Sequence, residues 1–153
     1  MHLTVWRICH RNYRNEAFTG KGARIYGGRF NSPGHMAVYT SGTLSLALLE
    51  LLVRQQDRRR LGEMITFRVT VQSDFVETLQ AEELPDGWDA APYGRQTREI
   101  GDRWLKNRPA LALRVPSAVV PFEYNCLLNP AHPAFNEITI EEITDFSFDP
   151  RLK

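Results

Sequence analysis

Lysine is scarce in this chain. Of 19 basic residues only Lys21, Lys106 and Lys153 are lysine, and the other 16 are arginine. Arginine's planar fork grips phosphates and carboxylates at two points, so the bias suits a phosphate-bearing ligand; the base composition of the gene explains it equally well. An excess of either charge is also lacking. The 19 basic and 18 acidic residues leave a net +1, which argues against a dedicated nucleic-acid binder. Cysteine is confined to Cys9 and Cys126, too few for a zinc site and no disulfide framework, so a reduced, cytoplasmic setting is expected. No apolar run reaches the ~18 residues of a membrane span. The longest, Leu44 to Val53, is interrupted by Glu50. Met1 to Thr4 lead into polar residues rather than an apolar segment, so no signal peptide is expected.

Familiar motifs are missing as well. There is no G-x-x-x-x-G-K-[ST], and Gly20-Lys21-Gly22 runs into Ala23-Arg24-Ile25, which breaks the dinucleotide-binding G-x-G-x-x-G pattern. H-E-x-x-H, G-x-S-x-G and C-x-x-C do not occur, and His2, His10, His35 and His132 lack metal-ligand spacing. What remains is a chain of ordinary globular composition, 42% hydrophobic and 24% charged over 153 residues. It is long enough for one domain, residues 1–153, with a core that needs no staples.

Hydropathy patterning outlines the elements. Leu3 and Val5 alternate with polar neighbours as in a first strand, and Ile65, Phe67, Val69 and Val71 do so more clearly. Thr19 to Arg24 reads as a flexible basic loop, Ile25 to Phe30 as extended, Asn31-Ser32-Pro33-Gly34 as a turn and His35 to Thr40 as a short strand. Leu44, Ala47, Leu48, Leu51 and Leu52 predict a helix over Thr43 to Gln56, continuing into Asp57-Arg58-Arg59-Arg60 and stopping at Gly62. Leu46, Leu49 and Val53 make its other side apolar, so a central position is expected. A second helix is predicted over Thr97 to Asn107. Strands are predicted at Leu111 to Val115, Val119-Val120, Asn125 to Leu128, Ile138 to Ile140 and Ile143 to Phe148, with Pro85-Asp86-Gly87 as a turn and His132 to Asn136 as a turn or short helix. Helices and strands do not alternate regularly, so the class is α+β with an antiparallel or mixed sheet.

Three residues stand out chemically. Glu50 is the only charge in its apolar helical stretch, and a carboxylate there must be paired or hydrogen-bonded. An i,i+4 pair with Arg54 is one answer; a carboxylate held rigidly at a pocket wall is the other. Arg29 follows Gly27-Gly28, where glycine permits close approach of a ligand and arginine can bind its phosphate or carboxylate; a tight turn with a solvated arginine is the alternative. Tyr39 precedes the helix on a short strand, either as an edge aromatic of the core or as a pocket residue. Further along, Ser117 follows a strand-breaking Pro116, and Asn125 and Asn129 flank apolar Cys126-Leu127-Leu128, where their amides need partners.

In their order and spacing these segments resemble the RES domain family. The matching stretches are Trp6-Arg7, Gly22-Ala23-Arg24, Gly27-Gly28-Arg29-Phe30-Asn31, Pro33-Gly34, Val38-Tyr39, Leu46 to Glu50, Val115 to Ala118, and Glu123 to Pro130 with His132-Pro133. Phe30 stands where the family usually has tryptophan.

The resemblance implies a compact fold similar to ADP-ribosyltransferases, with a split β-sheet flanked by helices around an NAD+ cleft. It implies a bacterial toxin that depletes NAD+ by cleaving the nicotinamide–ribose bond with water or phosphate. NAD+ is then substrate, and no separate cofactor or metal is called for. The family's Arg, Tyr and Glu site falls on Arg29, Tyr39 and Glu50, and its later Ser and Asn positions on Ser117 and Asn125. Glu50 is expected to stabilise the positive ribose and Arg29 to hold the pyrophosphate. Arg7 and Arg24 are candidate second phosphate contacts. The implied partner is an Xre-type helix-turn-helix antitoxin that blocks the cleft, with a homodimer of the toxin possible within that complex. A mono-ADP-ribosyltransferase acting on a protein is the competing enzyme. An arginine-rich nucleic-acid module using Arg58-Arg59-Arg60 is the non-enzyme alternative.

Overall fold

The computed structural model describes residues 1–107 and 110–153. Among the described residues seven strands form one mixed sheet: β1 (His2–His10), β2 (Val38–Ser41), β3 (Met64–Gln72), β4 (Val76–Thr78), β5 (Ala112–Pro116), β6 (Tyr124–Leu128) and β7 (Thr139–Ile143), in the order β4-β5-β6-β2-β1-β3-β7. Only β4 and β5 pair in parallel; the other neighbours are antiparallel. The class is α+β, as the irregular element order predicts.

The sheet is nearly divided in its middle. β1 and β3 match residue for residue from His2↔Gln72 to His10↔Met64, and β2 and β6 match from Val38↔Leu128 to Ser41↔Asn125. β1 and β2, in contrast, share one register pair, Trp6↔Ser41. Beyond it the strands part, and Arg7 Nη1 donates to the Tyr39 carbonyl at 2.9 Å across the opening. A side chain thus takes a carbonyl that a backbone ladder would have taken.

Alternation along the strands sorts the core into layers. Val5, Val38, Val69, Val71, Ala112, Cys126 and Leu128 point to one face and pack with Phe18, Phe75 and Phe135. On the opposite face Leu113, Val115 and Leu127 meet Trp104 and Leu105 of helix α3 (Arg95–Asn107) together with Phe30 and Ala37. Ile8 meets Ala47 of helix α2 (Leu44–Leu52), with Leu61, Phe148 and Leu152 completing that cluster.

Several segments differ from expectation. Most of the basic loop Thr19–Arg24, with Ile25 and Tyr26 of the stretch expected to be extended, is a short helix, α1 (Lys21–Tyr26), bounded by Gly20 at φ +78° and Gly27 at φ +73°. Both angles lie in the left-handed region that only glycine adopts freely, so the chain reverses sharply at each end. Helix α2 stops at Leu52 instead of running to Arg60. Asp57 accepts from Arg59 N at 3.1 Å and starts a separate 3₁₀ turn, Arg58–Glu63. Nor is α2 central: Leu46 and Ala47 are buried while Leu49 and Val53 are exposed. Val119-Val120 is a turn rather than a strand. β7 ends at Ile143, and the chain then brings Phe148 and Leu152 beneath α2. Among the described residues no helix is long and apolar enough to cross a membrane.

Candidate active site

The sheet opens where β1 leaves β2, and a cleft of about 470 Å³ lies there, walled by α1, the turn after it, α2 and β6. Its size is that of a small-molecule site.

Glu50 sits on its wall, half-buried, in the last turn of α2. The helix holds it through the Thr43 cap, whose Oγ1 accepts from Leu46 N at 3.1 Å, and through the buried Leu46 and Ala47. The carboxylate does not pair with Arg54; Arg54 Nε donates to the Glu50 carbonyl oxygen at 3.2 Å instead. Oε1 accepts from Ser117 Oγ at 2.8 Å and from Asn125 Nδ2 at 2.6 Å. Each donor is itself fixed. Asn125 Oδ1 accepts from Ser41 Oγ at 2.8 Å, and Ser117 Oγ accepts from Val119 N and Val120 N, both at 3.0 Å. Among the described residues none donates to Oε2. One carboxylate oxygen is therefore held by two donors and the other by none among the described residues. Asn125 lines the cleft beside Glu50, whereas Ser117 is fully buried and acts from behind.

Tyr39 occupies the floor. Its hydroxyl donates to Asn31 Oδ1 at 2.6 Å and accepts from Phe30 N at 3.1 Å, and burial pushes its pKa up. The hydroxyl thus serves the fold, and the ring serves the cleft. Asn31, fully buried, ties the turn together by donating to the Ala23, Ser32 and His35 carbonyls. Gly28 is required beside this knot, since a Cβ there would stand 2.6 Å from the Tyr39 hydroxyl. Gly101 of α3 plays the same part from behind, where a Cβ would fall on the Phe30 carbonyl oxygen.

Three arginines line the cleft: Arg7, Arg29 and Arg54. None has a carboxylate within salt-bridge distance among the described residues. Burial pulls the Arg7 pKa down, the Cys9 thiol opposes this, and the Arg54 charge adds to it. Arg7 Nε is buried without a partner. A guanidinium keeps its proton at neutral pH, so these residues are cations without a counter-charge among the described residues. Arg29 is more occupied: Nη1 donates to the Trp88 and Ala90 carbonyls at 2.8 and 2.9 Å. Arg24 is exposed on α1 and is not part of the cleft wall. Arg54 escapes sequence reasoning, because a residue four after Glu50 reads as an ordinary helical ion pair. Tyr93 and Ser41 carry no signal of their own. Arg58-Arg59-Arg60 lies outside the cleft, with Arg59 on Asp57 at 2.9 Å and Arg60 on Glu63 at 3.4 Å.

The RES domain family matches residues 4–149. This chain belongs to that family. The RES domain is 40% identical over 152 residues to a protein named Toxin Res from Yersinia enterocolitica, covering 99% of this chain and 100% of the relative. It is 33% identical to a Prs ADP-ribosylating toxin from a Sphingobium strain, covering 99% of this chain and 98% of that one. Its fold matches the structure of the Mycobacterium tuberculosis MbcT–MbcA toxin–antitoxin complex with a TM-score of 0.76 at 16% identity, covering 94% of this chain and 85% of that one.

Proposed function

We propose that this RES domain is a toxin that cleaves the nicotinamide–ribose bond of NAD+. The observation that carries the reading is the Glu50 carboxylate, with Oε1 fixed by Ser117 and Asn125 and Oε2 open to a cleft of uncompensated arginines. Breaking the N-glycosidic bond sends its electron pair to the pyridinium nitrogen and leaves a cationic ribose. A carboxylate fixed beforehand next to that carbon stabilises the charge as it forms, and such prearranged electrostatics usually contribute most to catalysis of this kind. Oε2 is also placed to accept from a ribose hydroxyl. Arg7 and Arg54, neither with a carboxylate partner among the described residues, supply the counter-charge for the pyrophosphate. The Tyr39 ring borders the nicotinamide ribose. Water or phosphate then adds through oxygen to the ribose C1′, its proton passes to solvent, and neutral nicotinamide leaves.

A second reading draws on the relative named as an ADP-ribosylating toxin: a protein side chain takes the place of water or phosphate. The two separate in one experiment, in which NAD+ labelled in its adenylate half is incubated with the purified protein, with and without phosphate and cell extract. Label in free ADP-ribose or its phosphate supports the first reading. Label on protein supports the second. Intact NAD+ in every arm refutes both. An NAD+-consuming toxin requires restraint, and we propose an Xre-type antitoxin as its partner, seated over the cleft with an acidic segment against the arginines. Co-expression that leaves the cleft open to NAD+ would contradict this.

A further inference from the structure

One wall of the cleft comes from no regular element. Between β4 and α3 run 16 residues, 79–94, whose only helical turn is Ala81–Glu83. Irregular stretches of this length are uncommon inside a compact fold and are usually either functional or linker segments. Trp88 packs partly buried against the core near Leu84, and the residues from Asp89 to Gln96 are exposed. Tyr93 nevertheless lines the cleft.

Among the described residues, Arg29 donates the side-chain hydrogen bonds that tie this strap to the turn after α1. Both N–H groups of Nη1 are taken, by the Trp88 and Ala90 carbonyls. The guanidinium also lies 5.5 Å from the centre of the Tyr93 ring, with Arg98 of α3 at 5.9 Å from the same ring. Two carbonyls and an aromatic ring make a seat suited to a planar fork, which an ammonium would fit less well. The turn bearing Arg29 is rigid through the Asn31–Tyr39 knot, so the strap inherits its position from the same residues that floor the cleft. Arg7 and Arg54, by comparison, have no such duty towards the strap.

We infer that Arg29 is a positioning residue: it clamps residues 88–93 as a wall of the cleft and thereby sets Tyr93 against the bound dinucleotide. The inference rests on the reading of the cleft as an NAD+ site, and its test separates the two. Hydrogen–deuterium exchange is compared among wild type, R29K and R29A. Faster exchange confined to residues 88–94 is expected in both variants. Unchanged exchange there overturns the clamp, and R29K decides the matter if R29A unfolds. NAD+ affinity is then measured calorimetrically in an E50Q background. R29A and Y93A are each expected to weaken binding about tenfold, and the double variant no more than either alone, because both act through one wall of the cleft. A double loss equal to the product of the single losses overturns the inference. Absence of NAD+ binding by the wild type removes the proposed function, while the exchange pattern still decides whether Arg29 holds the strap.

Discussion

At Glu50 the chain places a carboxylate where an apolar run predicts none, and its surroundings show why it persists. Two donors satisfy Oε1, and each donor is anchored by a further bond to Ser41 or to the backbone of Val119 and Val120. N125A removes a short charged bond and should lower kcat by roughly 10- to 100-fold, the worth of such a bond, with little change in KM; steady-state kinetics checks it. S117A should lower kcat too and also loosen the 117–120 turn, seen as faster amide exchange at Val119 and Val120. Cys126 allows a separate check. Burial pushes its thiol up to about 12 from 9.0. The unfolded chain therefore loses this proton near its ordinary pKa while the native protein keeps it, so the stabilising contribution is full below that value and is lost as pH rises towards 12. Alkylation at pH 8 should spare Cys126 until denaturant is added; rapid native labelling would contradict its burial.

At the scale of elements, the strong patterns are legible in the sequence and the short, glycine-bounded ones are not. β3 follows from strict alternation, and α2 from leucines at helical spacing. The end of α2 is hidden, because a capping Asp57 looks like one more polar residue of a helix. α1 is hidden because Gly20, Gly22 and Gly27 lower helix propensity, while two of the three make the reversals that frame it. Glu50 is legible because it interrupts an apolar run and Arg29 because it follows two glycines, whereas Tyr39 joins them through the family resemblance. Their partners need the register: only the pairing Ser41↔Asn125 puts Ser41 beside Asn125, and only the crossing of α3 explains Gly101. Gly101→Ala should cost about 1–3 kcal/mol, as overpacking does, and should also reduce activity by moving Phe30 and Asn31. Thermal unfolding and kinetics on the same variant test both parts.

Across the whole molecule the near-divided sheet is what makes a site of these parts. Continuous pairing of β1 with β2 would close the opening that Arg7 now bridges. The scarcity of lysine gains meaning at this scale: the cleft's arginines are few and individually placed, and the surface run Arg58-Arg59-Arg60 is set among its own acidic neighbours. Release of free nicotinamide from NAD+ by the purified protein, measured beside Glu50→Gln, tests the central claim most directly. We expect turnover by the wild type, in water or with added phosphate, and a loss of about 10³-fold in the variant with unchanged thermal stability. No release by the wild type under either condition, or equal release by the variant, would contradict it.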